Sequence, residues 1–429
     1  MNRCAKLVAT LAALIGSAQS SFACPADCDD DCRVDVSEIV VGIRIALAQA
    51  PVSACVRLDL NQSGGAEVDE LVTGIDVALN GCGGRLAFEP VRRYGTGDSP
   101  RAVAVGDLDG DDWPDLAAAN HLSHDVSILL NDGEGSFLPE ETLDVGMIPL
   151  GIVIADFEGN GFADIATSNG GSGDVSVLLG NGDGSFAGEQ RYPAGAGART
   201  ILATRIDANA TIDLVVAAPG AVGIQVLLGR GDGAFDRVVI GGGFRPWWVA
   251  HGEVTGDGIE DLVTVNAETS DLAILAGTAS GSFASHSRFQ LADPGYSVAI
   301  ADVDDDGRAD LLTGNGQDAS VSLLHAIGNG AFAMPAHIAV GSGPFPVHVA
   351  DMNGDTVDDI VTANELSGDV SILLGTGDAT FEVDRRFAVG PSPYAVAIAD
   401  VDRDGGLDLV AATGAVDEVV VRRGNRCLP

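Results

Sequence analysis

From residue 86 to its end the chain is a succession of short apolar runs separated by clusters of Gly, Asp and Asn. One stretch shows the pattern: Arg101-Ala102-Val103-Ala104-Val105-Gly106, then Asp115-Leu116-Ala117-Ala118-Ala119, Val126-Ser127-Ile128-Leu129-Leu130, and Ser136-Phe137-Leu138-Pro139. Short apolar runs bounded by such turn residues predict β-strands, about four in this stretch. Apolar spacing at i, i+3 and i+4 is missing from them, which speaks against helical repeats.

The stretch recurs. Phe88, Phe137, Phe186, Phe235, Phe283, Phe332 and Phe381 follow one another at steps of 48 or 49 residues, and each is followed 18 or 19 residues later by Asp107, Asp156, Arg205, Glu253, Asp302, Asp351 or Asp400. Seven four-stranded units of this length predict a mainly-β fold, a seven-bladed β-propeller over residues 86–427. The array begins with an isolated strand at 86–94 and ends after three strands of its last unit. The N-terminal strand should therefore complete the seventh blade and leave no open edge. Cys82 and Cys427 flank that closure, so a disulfide between them would staple it; the competing reading keeps Cys82 among the N-terminal cysteines.

Between the first and second strands most units carry the pattern D-x-[DN]-x-D-G-x-x-D. Calcium takes 6 to 8 hard oxygen ligands, which acids at alternate positions around a tight turn supply. Blade 1 offers Asp107, Asp109, Asp111 and Asp115, and blade 2 Asp156, Glu158, Asn160 and Asp164. Blade 5 has Asp302, Asp304, Asp306 and Asp310, blade 6 Asp351, Asn353, Asp355 and Asp359, and blade 7 Asp400, Asp402, Asp404 and Asp408. About five calcium sites are expected there, in a structural role. Blade 4 is a weak match through Glu253, Asp257 and Asp261. Blade 3 puts Arg205 at the first position beside Asp207, Asn209 and Asp213, where a guanidinium can stand in for the metal.

The first 85 residues follow other rules. Arg3 and Lys6 precede an apolar run, Leu7 to Ala18, and small residues up to Ala23, which reads as a signal peptide over 1–23. The chain is thus expected to be secreted or displayed at the cell surface, with no membrane span. Ser21 stands where a lipobox usually carries Leu, which argues against a lipid anchor on Cys24. Two twelve-residue segments fit the EF-hand loop: Asp27, Asp29, Asp31, Asp35 and Glu38, then Asp59, Asn61, Ser63, Glu67 and Glu70. Cys32 replaces the usual glycine in the first, while Gly64 keeps it in the second. Each feeds an amphipathic run, so residues 24–82 are expected to form a small α-helical module with up to two further calcium ions, followed by a linker at 83–85. The two loop-plus-helix copies resemble dockerin domains, a likeness that implies a cohesin-like partner.

Charge narrows the partners. The chain carries 62 acids against 23 Lys and Arg, a formal charge of −39, which becomes −41 when Arg3 and Lys6 leave with the leader. Such a surface repels nucleic acid and anionic membrane.

Ala102-Val103-Ala104-Val105-Gly106-Asp107, Asp310-Leu311 and Val177-Leu178-Leu179-Gly180-Asn181-Gly182-Asp183-Gly184-Ser185-Phe186 carry a family likeness. Through them residues 86–427 resemble the FG-GAP/VCBS repeat propellers, including those of integrin α-chains. The resemblance implies a calcium-binding adhesion or binding module for extracellular protein or glycan. In some lineages it extends to polysaccharide lysis.

Six residues before each loop stand Arg101, Leu150, Arg199, Trp247, Tyr296, Phe345 and Tyr394, with Trp248 beside Trp247. In a closed propeller these form a ring at one mouth of the channel, able to hold a cation, a sugar face or an acidic group, or simply to plug it. No nucleophile motif or zinc spacing stands out, so a binding protein, not an enzyme, is expected. The alternatives are a lyase or hydrolase built from Arg199, His251 and loop acids, and a purely structural matrix protein.

Overall fold

A computed structural model of the chain describes residues 86 and 88–424, apart from 208, 222, 241–244, 267, 279–280 and 292–293. The signal peptide, the EF-hand-like module with its ligand residues, the linker, Cys82 and Cys427 lie outside the described residues. Phe88–Met352 and Thr356–Gly424 form one compact unit, which leaves out Asn353–Asp355.

This unit is a seven-bladed β-propeller of four-stranded antiparallel sheets. The inner strands of blades 1 to 7 are Pro100–Gly106, Pro149–Ala155, Ile201–Thr204, Trp248–Gly252, Ala299–Ala301, Pro344–Ala350 and Pro393–Ala399. Each packs against the next, and the last packs against the first. Closure is as the array ends imply: Arg92–Gly95 joins the seventh sheet beside Glu418–Arg422, with Arg92 opposite Val421 and Gly95 opposite Glu418. Blade 5 inserts a small hairpin, Ala326–Gly328 with Ala331–Phe332.

One expectation is corrected. The repeat phenylalanine does not lie in the fourth strand of most blades. In blade 1 Phe137 makes a single bridge to Asn131, and the fourth strand is Glu141–Asp144; likewise Phe88 only bridges Gly424 ahead of the closing strand. Pro139 and Pro90 follow these phenylalanines, and proline has no N–H to give a ladder. Proline is not the whole cause, since Phe186 and Phe381 make the same single bridge with no proline before Gln190–Pro193 and Arg385–Ala388; in blades 3 and 4 the strand runs unbroken from Phe235 and Phe283.

The core lies between blades. Second strands such as Asp115–Asn120, Asp164–Asn169 and Asp261–Asn266 are buried along their whole length. Side chains of neighbouring sheets interdigitate: Leu108, Ala117, Val126 and Ile128 of blade 1 meet Ile152, Ile165 and Leu178 of blade 2. Burial of each such aliphatic side chain contributes roughly 1.5–3 kcal/mol. Asparagines close the second strands. Asn120 Nδ2 donates to Asp125 and Ser127, and Asn169 and Asn364 repeat the arrangement. Outer strands alternate half-buried and exposed positions and carry Arg92, Arg191 and Arg385, charges that discourage edge pairing.

Candidate metal loops and axial mouth

Every inner strand runs into an acidic loop, and every second strand begins with that loop's last acid. In six blades the two oxygens of this buried aspartate accept two backbone N–H groups. Asp115 takes Leu108 N–H at 2.8 Å and Asn131 N–H at 2.7 Å; Asp213 takes Ile206 and Gly229, both at 2.8 Å; Asp408 takes Val401 and Gly424, both at 2.7 Å. Asp164, Asp261 and Asp359 repeat the pair. The second donor is also the residue that bridges the repeat phenylalanine, as Gly180 does with Phe186 and Gly424 with Phe88. One carboxylate thus ties the acidic loop to the hairpin that follows the third strand at the same end of its blade. That role holds in blade 3 too, where Arg205 leads the loop.

The other acids turn inward on the loop backbone. Asp107 accepts Gly110 and Asp112 N–H at 2.7 and 2.9 Å, Asp302 accepts Asp306 and Gly307 at 3.1 and 2.7 Å, and Asp400 accepts Asp404 and Gly405 at 3.1 and 2.9 Å. The turn needs its fourth and sixth residues in the left-handed region. Gly110 and Asp112 have φ of 79° and 70°, Arg403 and Gly405 57° and 87°. Glycine adopts this freely, and aspartate tolerates it better than most residues.

Ligand atoms within 4.8 Å of one another are brought together by Asp107, Asp109 and Asp115 in blade 1, by Asp302, Asp304 and Asp306 in blade 5, and by Asp400, Asp402 and Asp404 in blade 7. A fourth group joins Asp304 and Asp310 to His325. In blade 2 Asn160 sits among the acids and donates to Glu158 at 2.8 Å. Of the blade 6 set, Asp351 and Asp359 belong to the propeller unit, while Asn353 and Asp355 fall outside it; there Asp355 N–H donates to Asn353 at 3.0 Å.

Two loops satisfy their acids from within. In blade 3, Asn209 satisfies Asp207 through its backbone N–H and its Nδ2, both at 3.0 Å, while Arg205 Nε donates to the Ala210 carbonyl at 3.2 Å and not to a loop acid. In blade 4, Glu253 accepts Thr255, Gly256 and Gly258 N–H at 2.8, 2.7 and 2.6 Å, and these bonds outweigh burial to hold its carboxyl below the usual range. Blade 7 contains a cation that the repeat pattern did not signal: buried Arg423 lies 3.4 Å from Asp402.

Burial, aided by neighbouring acids, pushes Asp115 and Asp404 up to about 6 and Asp408 up to about 8. A carboxyl that holds its proton more tightly folded than unfolded favours the protonated fold, so its stabilisation is lost as pH rises through the folded value. Calcium-free protein should therefore melt higher at pH 6.5 than at pH 8.5, the window Asp408 governs. Calorimetry in chelator checks this, and equal melting at both values would overturn it. Below that window His348, held near 4 by burial, opposes the trend because unfolding lets it take a proton.

At the opposite ends of the inner strands, the ring positions do converge. Arg101 lies 3.4 Å over the Tyr394 ring and Arg199 4.1 Å over Trp247. Trp247 meets Tyr296 edge-on at 5.6 Å, Tyr296 meets Phe345 at 6.3 Å, and Trp248 reaches Phe345, two blades away, at 5.5 Å. Burial and the charge of Arg101 lower Arg199 to about 10. Arg101 Nε has no hydrogen-bond partner, and neither guanidinium pairs with a carboxylate among the described residues. His121, which the repeat pattern did not single out, belongs here as well: burial and both arginines hold it below its ordinary pKa. His251 instead bonds Thr204 at 3.0 Å near the loop end of the inner strands, so it and Arg199 do not form one site. From Arg101 to Asp107 is six strand residues, about 20 Å.

A seven-bladed propeller with acidic loops on one face and an aromatic–arginine mouth on the other is the class these observations define. The FG-GAP-like repeat model matches residues 107–167, 253–313, 302–362 and 351–411, together just over half of the chain, and the chain belongs to that family. No curated protein matches it. Among solved structures it is similar to BBS1N, crystallised in complex with ARL6DN, at 12% identity, covering 79% of this chain and 96% of that one with a TM-score of 0.57. It is also similar to a putative 6-phosphogluconolactonase from Bacteroides fragilis, at 14% identity, 69% and 85% coverage and a TM-score of 0.53. A protein from Lactobacillus plantarum gives 14%, 68% and 86%, and 0.52. At these identities the likeness is one of fold. Among the described residues no helix is long and apolar enough to cross a membrane.

Proposed function

We propose that the protein is an exported, calcium-stabilised propeller that binds an extracellular protein or carbohydrate at its axial mouth through an acidic group of the ligand. The observation that carries this reading is the pair Arg101 and Arg199. In a chain with 62 acids and 23 Lys and Arg, these two guanidiniums share a half-buried mouth and stack on aromatic rings without an ion pair, the nearby acid Glu365 bonding the Tyr394 hydroxyl instead. Two unneutralised cations repel a cationic ligand and attract a carboxylate or sulfate, while Trp247, Tyr296 and Tyr394 suit a sugar face or an apolar side chain.

Calcium suits the loops of blades 1, 5 and 7, where acid oxygens converge, and for blades 2 and 6 the reading rests on the sequence pattern. The donors are oxygens, and the raised pKa of Asp115 and Asp404 reflects crowded burial that a bound cation would relieve. Asp107, Asp109, Asp111 and Asp115 would hold the ion in blade 1. Its charge would neutralise the loop, and the strand length separating loop from mouth keeps it from touching a small ligand there. Export rests on the leader pattern of residues 1–23.

Binding to arrays of acidic and neutral glycans and of extracellular proteins tests the mouth. Arg199→Ala and Trp247→Ala should each weaken the ligand found at least about tenfold, the cost of one good contact of 1.4 kcal/mol or more. Wild-type affinity in both variants would move the binding surface elsewhere. Release of product from a polysaccharide would favour an enzyme.

A further inference from the structure

Fifteen residues after each loop's last acid, blades 1, 2, 3 and 6 carry leucine: Leu130, Leu179, Leu228 and Leu374. Blade 5 carries His325 there, directly after its third strand, Ser320–Leu324. The antiparallel register lays this position back against the acidic loop. His325 Nδ1 comes to 3.6 Å from Asp310 Oδ2 and 3.7 Å from Asp304 Oδ2.

Asp310 is the one last acid that lacks its full backbone pairing. Its Oδ1 accepts Ala326 N–H at 2.8 Å, but its Oδ2, which in blade 1 would accept the N–H of the second loop residue, meets the corresponding Val303 N–H only outside ordinary hydrogen-bond geometry. The side chain is 2% exposed. His325 Nδ1 is likewise buried and without a partner. Two ligand-type atoms thus face each other across a gap too wide for a hydrogen bond, with Asp304 completing the triangle. A buried oxygen left without a partner is costly and calls for an ion or water.

We propose that blade 5 holds a divalent transition metal of the zinc class on Asp304, Asp310 and His325. Zinc binds imidazole nitrogen and carboxylate oxygen at about 2.0–2.2 Å, which puts neighbouring ligands of a tetrahedral ion roughly 3.4 Å apart, close to the separations here. Imidazole suits zinc, whereas calcium prefers oxygen throughout, so this loop differs in ligand chemistry from those of the other blades. Three protein ligands leave the fourth position to water or to a group of a partner. The proposal differs from the calcium reading in resting on a nitrogen ligand, and the two ions compete for Asp304 and Asp310.

The test is calorimetric titration of the mature full-length protein with zinc in about 1 mM calcium, the extracellular range, with cobalt(II) absorption as a second readout. One zinc equivalent should bind despite the calcium. His325→Leu should weaken it at least about 100-fold, because even outer contacts of a metal site are worth 10–100-fold. This variant introduces the residue four other blades carry, so its melting temperature in calcium alone should match wild type; His325→Gln serves as a second variant. Absence of calcium-resistant zinc binding, or binding unchanged by both variants, overturns the proposal and leaves His325 as an ion-pair partner of Asp310. Failure of the calcium reading would show separately, as melting unaffected by calcium.

Discussion

Removing calcium should lower the melting temperature of the mature protein by roughly 10 °C or more. Extracellular calcium modules bind at about 10⁻⁴ to 10⁻³ M, so at about 1 mM calcium each tighter site stabilises by ~1.4 kcal/mol through mass action. Four or five loops give about 6–7 kcal/mol, a large share of the 5–15 kcal/mol of an ordinary domain. The conversion to temperature follows from about 2 °C per kcal/mol for a domain of this size. Without the ion, Asp107, Asp109, Asp111 and Asp115 are also left to repel one another. Scanning calorimetry with calcium and then with excess chelator measures the drop. Unchanged melting would mean that the loops are solvated acidic turns, and the calcium reading would have to be withdrawn.

Asp213→Ala should cost about 4 kcal/mol, and equally with and without calcium. The carboxylate is fully buried and accepts the N–H groups of Ile206 and Gly229. Truncation leaves both donors buried without an acceptor, at about 1–3 kcal/mol each. Asp213→Asn keeps one acceptor oxygen and should lose about half as much. Blade 3 is the place to make this measurement because Arg205 replaces the acid at the loop's first position, so no calcium is expected there. The same truncation at Asp164 should cost as much in chelator and more in calcium, where a metal ligand is lost as well. Urea unfolding of both variants in the two conditions separates the roles. A loss below about 1 kcal/mol for Asp213→Ala would refute the idea that the last acid staples the blade.

Much of this architecture was legible beforehand, and the reasons are local. The phenylalanine period set the number of blades, and the three-strand final unit foretold the closing strand that Arg92–Gly95 supplies. Less legible was the path after each phenylalanine. Propensity alone does not tell a strand from a single bridge, and proline follows only some of the bridged phenylalanines, Phe88 and Phe137 but not Phe186 or Phe381. The sequence offered the ring positions without their contacts: Trp248 reaching Phe345 across two blades depends on how the ring closes.

By itself, then, the sequence determined the quantities that repeat: seven four-stranded units, the closure, and carboxylates at alternate positions of the loops between first and second strands. These follow from spacing along the chain, because alternation and turn chemistry act over a few residues. The tertiary structure alone decided what those carboxylates touch. Asp408 and Gly424, Asp402 and Arg423, and Asp310 and His325 stand 15 to 21 residues apart and meet only once strand register is set. Arg101 and Tyr394 meet only because the first blade packs against the seventh. Register and closure are settled by burial of the sheets against one another, a property of the whole ring.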